Sequence, residues 1–415
     1  MAALVVGAAA LLAAGAQALP GDLDTSFGGD GTVTTDFGAP AAAHALAPAL
    51  SGKLVLAGSA GGDFAVARYL PAGTPDTSLS ADGKLTTDFG GQDEANGVVV
   101  QPNGKIVAAG GSDGDFALVR YKGGGNFDPS FGQQGKVTTD FGGTDVARAI
   151  VRLPDGRFVA VGGAGQDFAI ARYTFKGDLD TTFGTQGKVT TDFGGDDRAE
   201  GVALQSDGMV VVVGRSDGDF ALARYTTAGT LDTTFDSDGR VTTDFAGGQD
   251  AALDVVVPSS TEILVAGTTA LGGSSDFALA RYTSDGSMDV GVAPFDPSFD
   301  GDGVVTTDFG GTDPEAAFGV AVQPNGAIVA VGGAHSDFAV ARYDTIGTLD
   351  QSFGVGGRTT TDLTGVEQAE ALVLQTDGKI VAAGTTSVGD DFALARYDGD
   401  PPFSGVIVGI PGGTP

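Results

Sequence analysis

The chain of 415 residues has no cysteine, no tryptophan and only two histidines. The absence of cysteine excludes disulfides, thiolate metal sites and cysteine nucleophiles. His44 and His335 lie in different units of the sequence, so no histidine pair for a metal and no Ser/His/Asp arrangement is indicated. We therefore predict no catalytic residue from these motifs.

Basic residues are scarce, because 22 Lys and Arg stand against 53 Asp and Glu, for a formal net charge of −31. This charge disfavours contact with nucleic acid or with an anionic membrane surface. It favours cations and basic partners instead. We expect a monomer whose partner is a protein or a glycan, with no nucleic acid and no membrane insertion.

Long apolar runs are also scarce, and the clearest one is residues 1–20, which contain no charged side chain. The run includes Ala16-Gln17-Ala18, which fits the small-x-small pattern of a signal-peptide cleavage site. We predict a signal peptide over residues 1–18 and hence a secreted or cell-surface protein. The alternative is an unprocessed apolar tail.

The chain does contain a sequence repeat, and its clearest motif is Asp-Phe-Ala-x-x-Arg-Tyr. This heptapeptide occurs seven times, at 63–69, 115–121, 167–173, 219–225, 276–282, 337–343 and 391–397. The first four copies of its arginine, Arg68, Arg120, Arg172 and Arg224, are each separated by 52 residues. A period of this size predicts an architecture of stacked supersecondary units.

Each unit also contains a Leu-Asp-x-Ser-Phe turn, a Val-Thr-Thr-Asp-Phe segment, a small and apolar run, and a Lys-Ile-Val-Ala-Ala-Gly segment. These segments are short, rich in β-branched or aromatic residues, and bounded by Gly or Asp, as strands are. Turns such as Asn103-Gly104 and Asp155-Gly156 favour tight hairpins. Four strands, named a to d outward from the axis, in each of seven units predict an all-β, seven-bladed β-propeller over residues 22–397.

The repeat begins on a strand d, Val33–Phe37, and ends on a strand c, Asp391–Tyr397. Exposed sheet edges promote aggregation, and ring closure hides them. We therefore predict that Val33–Phe37 joins the C-terminal blade as its fourth strand. The alternative fourth strand is Gly405–Ile410, in a C-terminal tail of residues 398–415.

The ordered motifs resemble the delta-60 repeat of bacterial secreted and surface proteins, and the unit is similar to NHL-type propeller repeats. The resemblance covers residues 22–397. It implies a propeller and no particular biochemical role, because propellers serve as enzymes, lectins and scaffolds alike.

Several recurrent residues are predicted to be structural. Aromatic side chains that recur in every unit are typical of a core. Arg172 lies near the end of strand c, and Asp180 of the next turn follows it, as Asp76 follows Arg68 and Asp128 follows Arg120. We predict one ion pair of this kind per blade at one rim of the propeller.

The opposite rim is predicted to be acidic, because antiparallel pairing brings the start of strand c beside the end of strand d. The expected pairs are Asp63 with Asp88, Asp115 with Asp140, Asp167 with Asp192, and Asp219 with Asp244. The same rim is predicted to receive the acids of the d–a loops and b–c loops. They are Asp93, Asp145, Asp197, Asp250 and Asp313, and Asp113 and Asp217. Clustered carboxylates suit Ca²⁺. The alternative is that these side chains accept backbone N–H groups in turns.

One position at the start of strand a varies from unit to unit while the framework repeats. Its seven residues are His44, Asn96, Arg148, Glu200, Leu253, Phe318 and Glu370. Different side chains around the mouth of a channel are suited to bind an asymmetric ligand. Unconstrained sequence change in an exposed loop would produce the same variation. We consider these residues the candidate ligand-binding set.

The spacing is longer in two units, and the extra residues fall at Thr268–Ser275 and Ser284–Pro294. We predict that both are loops and a second candidate for a partner site.

The leading hypothesis is a secreted or surface-displayed propeller that binds a partner and has no chemistry of its own. The alternative is a carboxylate-based enzyme, of the glycoside hydrolase or lyase type, with its site at the acidic rim or in the central channel.

Overall fold

Seven four-stranded antiparallel sheets make up the computed structural model, which describes residues 18–245, 247–271, 274–291 and 298–400. In six sheets the four strands follow one another in chain order from the inside outward. The predicted seven-bladed β-propeller is confirmed. Within the described ranges no helix has the length and apolar character that a membrane crossing needs.

The strands are numbered in chain order. The innermost strands, a, are β2 (Ala41–Pro48), β6 (Asp93–Val100), β10 (Asp145–Arg152), β14 (Asp197–Leu204), β18 (Asp250–Val256), β22 (Ala316–Val322) and β26 (Glu367–Leu374). Strands b are β3 (Leu54–Ala60), β7 (Ile106–Ser112), β11 (Phe158–Ala164), β15 (Val210–Ser216), β19 (Glu262–Leu271), β23 (Ile328–Ala334) and β27 (Ile380–Thr386).

Strands c are β4 (Asp63–Tyr69), β8 (Asp115–Tyr121), β12 (Asp167–Tyr173), β16 (Asp219–Tyr225), β20 (Ser274–Thr283), β24 (Asp337–Tyr343) and β28 (Asp391–Tyr397). The outermost strands, d, are β5 (Lys84–Thr87), β9 (Lys136–Thr139), β13 (Lys188–Thr191), β17 (Arg240–Thr243), β21 (Val304–Thr307), β25 (Arg358–Thr361) and β1 (Thr32–Thr35). Blades 1 to 7 are numbered by their strands a.

The core lies between neighbouring blades and follows from the alternation in strand c. Phe168 and Ile170 of blade 3 point to one side and pack with Ala221 and Ala223 of blade 4. Ala169 and Ala171 point to the other side, where the aromatic and branched residues of blade 2 meet them. One face with two alanines and one with larger residues therefore lets identical blades stack around a ring.

Each pair of neighbouring blades also shares a Tyr–Thr hydrogen bond, which is buried in six seams and partly buried in the seam of Tyr282 and Thr243. Tyr173 Oη of blade 3 donates to Thr139 Oγ1 of blade 2 at 2.9 Å. The corresponding pairs are Tyr69–Thr35, Tyr121–Thr87, Tyr225–Thr191, Tyr282–Thr243, Tyr343–Thr307 and Tyr397–Thr361. The tyrosine and threonine of the repeat thus join the blades in all seven seams.

The ring closes as predicted, because β1 from the N-terminal region pairs with β28 in blade 7. Val33 lies opposite Leu394, and the ring of Phe37, just beyond the strand, packs on Phe392 with centroids 4.7 Å apart. The alternative strand, Gly405–Ile410, lies outside the described residues. So do residues 1–17 of the predicted signal peptide.

The prediction of a loop over Thr268–Ser275 is wrong. Thr268 and Thr269 keep the register of the other blades, since Thr269 pairs with Asp276 as Ala60 pairs with Asp63. Beyond them Ala270 pairs with Ser275 and Leu271 with Ser274, so the added residues lengthen the hairpin. None of these four paired residues is proline, so their backbone N–H groups are able to continue the ladder. The other insertion, Ser284–Pro294, is described only as far as Gly291.

Candidate functional site

Every innermost strand contains a β-bulge, and the bulged residue is the variable residue of the sequence. In β10, Ala147 and Ala149 pair with consecutive residues of β11, so Arg148 is left without a partner in the ladder. The seven residues in this position are His44, Asn96, Arg148, Glu200, Leu253, Phe318 and Glu370. Because a bulge redirects a side chain, the framework presents these residues separately from the blade core.

A glycine in strand b accommodates each bulge. A Cβ added to Gly162 would lie 1.9 Å from the carbonyl oxygen of Val146, two residues before Arg148. Only glycine allows this close approach of two backbones. The glycine that ends each Lys-Ile-Val-Ala-Ala-Gly segment is thus a requirement of the bulge beside it.

The seven bulged residues line one cavity of about 450 Å³ in the central channel. The structure therefore brings together the complete candidate ligand-binding set. A cavity of this volume has the size of sites for small molecules.

One side of the cavity is a chain of charged contacts that runs through blades 7, 1 and 2. His44 Nδ1 lies 2.6 Å from Glu370 Oε2, and His44 Nε2 lies 3.6 Å from Glu94 Oε1. Burial alone would lower the pKa of His44, but the hydrogen bond and charge of Glu370, with the charge of Glu94, raise it. A raised pKa favours the protonated imidazole between its two carboxylates.

The chain of contacts continues through blades 3 and 4. Arg148 Nη1 lies 3.7 Å from Glu94 Oε1, and Arg148 Nε lies 3.9 Å from Glu200 Oε2. Arg198 Nε lies 2.7 Å from Glu200 Oε1. Burial raises the pKa of Glu200 even though Arg198 and Arg148 oppose the shift. Acidic and basic side chains thus alternate along this wall.

The other side of the cavity is apolar except for one acid. Leu253 and Phe318 line it, and Asp254 follows the bulge of β18. The other blades have a small residue in that place, namely Ala45, Gly97, Ala149, Gly201, Gly319 and Ala371. Asp254 accepts the N–H of Val255 at 2.8 Å and of Val320 in the next blade at 2.9 Å. Burial outweighs these hydrogen bonds and raises the pKa of Asp254 to about 7.

Sequence reasoning missed four polar residues that line the cavity: Glu94, Arg198, Gln368 and Asp254. The first three lie two residues before the bulge. That column of the repeat also varies, as Ala42, Glu94, Val146, Arg198, Ala251, Ala316 and Gln368. This variation was the sequence signal that could have identified Glu94, Arg198 and Gln368. For Asp254 the signal was an acid at a position where the other six units have Ala or Gly.

The acidic rim forms as predicted, and a third acid joins each predicted pair. Carboxylate oxygens of Asp63, Asp88 and Asp93 all lie within 4.8 Å of one another. The same holds for Asp115, Asp140 and Asp145, for Asp167, Asp192 and Asp197, and for Asp219, Asp244 and Asp250. It holds as well for Asp276, Asp308 and Glu315, where Glu315 and not Asp313 is the third acid. Burial, followed by the charges of Asp88 and Asp93, raises the pKa of Asp63. The predicted metal-ligating residues therefore lie close enough to repel one another.

The opposite rim carries the predicted ion pairs, one in each blade. Arg172 Nε donates to Asp180 Oδ2 at 2.9 Å, and its guanidinium lies over the ring of Phe183, 4.5 Å from the centroid. Arg172 Nη1 also donates to the carbonyl oxygen of Thr227 in the next blade. These arginines fasten a turn of their own blade to the neighbouring blade, which is a structural role.

A family described as "Domain of unknown function (DUF5122) beta-propeller" matches seven segments that together cover half of the chain. The matched segments are 51–79, 101–131, 153–183, 205–235, 262–291, 323–353 and 375–400. The chain belongs to this family. Six of the matched segments of this DUF5122 propeller span the b–c hairpin and the following turn of one blade, and 375–400 spans the b–c hairpin of blade 7, whose turn comes from the N-terminal region. The finer resemblance to the delta-60 repeat stays a prediction.

Solved structures share the fold of this DUF5122 propeller at low sequence identity. Sqt1 from Chaetomium thermophilum is 15% identical with a TM-score of 0.50, over 91% of this chain and 88% of that one. YCF48 bound to D1 peptide is 12% identical with a TM-score of 0.51, over 94% and 100%. Virginiamycin B lyase from Staphylococcus aureus is 9% identical with a TM-score of 0.50, over 88% and 98%. No curated protein matches the sequence.

Proposed function

We propose that the protein is a binding module that holds a segment of a partner protein in the mouth of its central channel. One observation carries this function: seven side chains that differ from blade to blade surround one cavity, whereas the framework that presents them repeats. A ring of identical residues would suit a symmetric ligand or none. An asymmetric wall suits an asymmetric ligand that occupies one orientation.

The two walls indicate the chemistry of that segment. Leu253 and Phe318 offer an apolar surface for one side chain of the partner. The opposite wall offers carboxylates and guanidinium groups, which recognise polar and charged groups. Among the described residues that line the cavity, Phe318 is the only phenylalanine, tyrosine or tryptophan. A protein segment therefore fits better than a glycan, which would stack on several such rings.

One likeness in fold and the net charge of the chain support a role in interaction. One neighbour in fold, YCF48, was solved with a peptide bound, although a likeness at 12% identity concerns the fold alone. The net charge of −31 accelerates encounters with basic partners.

The apolar leader supports export, so the partner belongs outside the cytoplasm. Fractionation of the producing cells, followed by N-terminal sequencing, tests this location. A chain found only in the cytoplasmic fraction, with Met1 retained, contradicts it.

A random-peptide display library and a glycan array, both applied to the full chain, test the binding function. We expect saturable binding of peptides that share one apolar residue, and loss of that binding in the double variant Leu253→Ser/Phe318→Ser. Val355→Ala is the matched control, because Val355 is 86% exposed on the outer surface. Absence of saturable peptide binding, or binding that survives the double variant, contradicts the proposed site.

A carboxylate-based enzyme is the second candidate, and Asp254 is the observation that favours it. A carboxyl group with a pKa near 7 in a concave site is suited to general acid–base catalysis. Turnover of an array glycan that disappears in Asp254→Asn, while binding of the same glycan persists, would support the enzyme. Binding without any product favours the module.

A further inference from the structure

Three chain segments place one acid each at the junction of two successive blades. In the first junction Asp63 begins strand c of blade 1, Asp88 follows strand d of blade 1, and Asp93 begins strand a of blade 2. The backbone N–H of Asp93 donates to the carbonyl oxygen of Gly62 at 2.7 Å, which holds blade 2 against the b–c turn of blade 1. The acids therefore meet where the chain crosses from one blade to the next.

The third acid of each of the four clusters is buried, and only one of its two carboxylate oxygens accepts a hydrogen bond. Asp93 is 2% exposed, and its Oδ2 accepts the backbone N–H of Phe89 at 2.6 Å. Its other oxygen, Oδ1, is buried and has no hydrogen-bond partner among the described residues. The same orphaned oxygen occurs in Asp145, Asp197 and Asp250, which are 0%, 1% and 1% exposed.

A buried carboxylate oxygen without a donor is unfavourable, because it has lost water and gained nothing in return. One such atom would be an exception, and four in the same place of the repeat indicate a missing partner of one kind. A cation is the partner that suits this place best, since the atoms around it are the oxygens of two further carboxylates.

The distances within a cluster suit one calcium ion. Oxygen ligands lie about 2.4 Å from Ca²⁺, so two ligands of the same ion are at most about 4.8 Å apart. The three acids of each of the four clusters meet this limit. Asp276, Asp308 and Glu315 at the junction of blades 5 and 6 meet it as well, but Glu315 has no buried oxygen left without a partner. All the donors are hard oxygens, with no imidazole or thiolate, and water would complete a shell of six to eight ligands.

The basic side chains near the clusters donate to backbone carbonyl oxygens, so they do not supply the missing donor of the orphaned carboxylate oxygens. Lys188 Nζ donates to the backbone carbonyl of Asp140 at 2.8 Å, and Arg240 Nη1 to that of Asp192 at 2.7 Å. Lys136 makes the corresponding contact with Asp88. The fourth cluster has Val304 in the register of these basic residues, so that position adds no cation there.

We propose that four of the blade junctions bind Ca²⁺, through Asp63, Asp88 and Asp93 and the three equivalent sets that end in Asp145, Asp197 and Asp250. Each ion ties strands c and d of one blade to strand a of the next. The junction of blades 7 and 1 provides a natural comparison, because Ala41 occupies the place of the third acid. These sites lie outside the channel cavity and are independent of the partner proposed for it.

Calcium titration of the full chain after dialysis against EDTA tests the sites. Calorimetry should show about four Ca²⁺ per chain, with Kd of about 10⁻⁴ to 10⁻³ M, as in weak extracellular sites. The melting temperature should rise with Ca²⁺ well beyond the rise in NaCl of equal ionic strength, because the ions bind the native state. A response to Ca²⁺ that equals the NaCl response would overturn the proposal.

Asparagine variants of the third acid locate the ions. Asp93→Asn keeps the acceptor for Phe89 and should remove one equivalent of Ca²⁺, and the quadruple variant at Asp93, Asp145, Asp197 and Asp250 should remove all four. Asp178→Asn is the matched control, since it makes the same charge change at an exposed position outside the clusters. Unchanged stoichiometry in the quadruple variant contradicts the sites.

A second set of variants keeps the test decisive if the buried positions do not tolerate asparagine. Asn at the half-buried Asp63, Asp115, Asp167 and Asp219 removes charge repulsion, so this variant should melt at a higher temperature than wild type in EDTA. It should also lose the calcium response. Calorimetry of wild type alone is decisive as well, because fewer than one Ca²⁺ per chain would refute the proposal.

Discussion

Arg396 and Asp24 join the two ends of the propeller, with Arg396 Nε donating to Asp24 Oδ2 at 2.8 Å. Arg396 Nη2 also donates to Ser26 Oγ at 3.0 Å, and the guanidinium lies over the ring of Phe27, 4.6 Å from its centroid. In the other blades the same ion pair links residues eight positions apart, as in Arg172–Asp180. In blade 7 it spans 372 residues, so an ion pair that is local in the other blades here holds the N-terminal region to the C-terminal blade.

Arg396→Ala should destabilise the protein by about 3–5 kcal/mol, because it leaves Asp24 buried without its main partner. Urea unfolding measures the loss. Arg172→Ala should give a similar loss, and hydrogen exchange should distinguish the two variants. Only Arg396→Ala should speed exchange in β1, since only this pair anchors the N-terminal region. An unchanged urea midpoint would contradict the structural role of the pair.

Tyr173→Phe should cost about 1 kcal/mol, because it removes the hydrogen bond to Thr139 from a seam where the two residues are 0% and 6% exposed. The double variant Tyr173→Phe/Thr139→Val should recover part of this loss, since no buried hydroxyl is then left without a partner. A double-mutant cycle of urea midpoints measures the coupling. Additive losses would show that the seam is stabilised by packing alone.

Acid should weaken the ion pair of Asp24 and Arg396. Burial raises the pKa of Asp24, but hydrogen bonds from Ser26 and the charge of Arg396 outweigh it and lower the pKa to about 2. A lowered folded-state pKa means that the stabilisation is complete above the ordinary value of 3.8 and disappears as the pH falls through 2. The difference in stability between wild type and Asp24→Asn should therefore shrink across this range. A difference that stays constant from pH 7 to pH 2 would contradict the assignment.

The sequence predicted the architecture because the architecture is repeated. Seven copies of Asp-Phe-Ala-x-x-Arg-Tyr give the number of blades, and the unfinished units at the two ends predict which strand closes the ring. Thr268–Ser275 was misjudged because an insertion lengthens the period whether it forms a loop or extends a hairpin. Sequence spacing alone does not distinguish the two.

The candidate site was predicted less completely, for a geometric reason. The variable column of His44 and Arg148 was visible, but its setting in a β-bulge was not. Glu94 lies two residues before the bulged column, on the face that simple alternation assigns to it. Asp254 directly follows that column and reaches the cavity because a bulge shifts the alternation by one residue. Burial of Asp254 depends on the neighbouring blade, which no local pattern reveals.

Asp254 should make the stability of the protein depend on pH near neutrality. Burial raises its folded-state pKa from 3.8 to about 7. With a raised pKa, the folded protein holds its proton longer than the unfolded chain, so stability decreases as the pH rises from 3.8 to 7 and then levels off. Asp254→Asn cannot ionise and loses one acceptor for the N–H groups of Val255 and Val320, which adds a constant offset. Melting temperatures from pH 4 to pH 9 should therefore fall more steeply for wild type than for Asp254→Asn, and parallel curves would show that Asp254 titrates as an exposed carboxyl group.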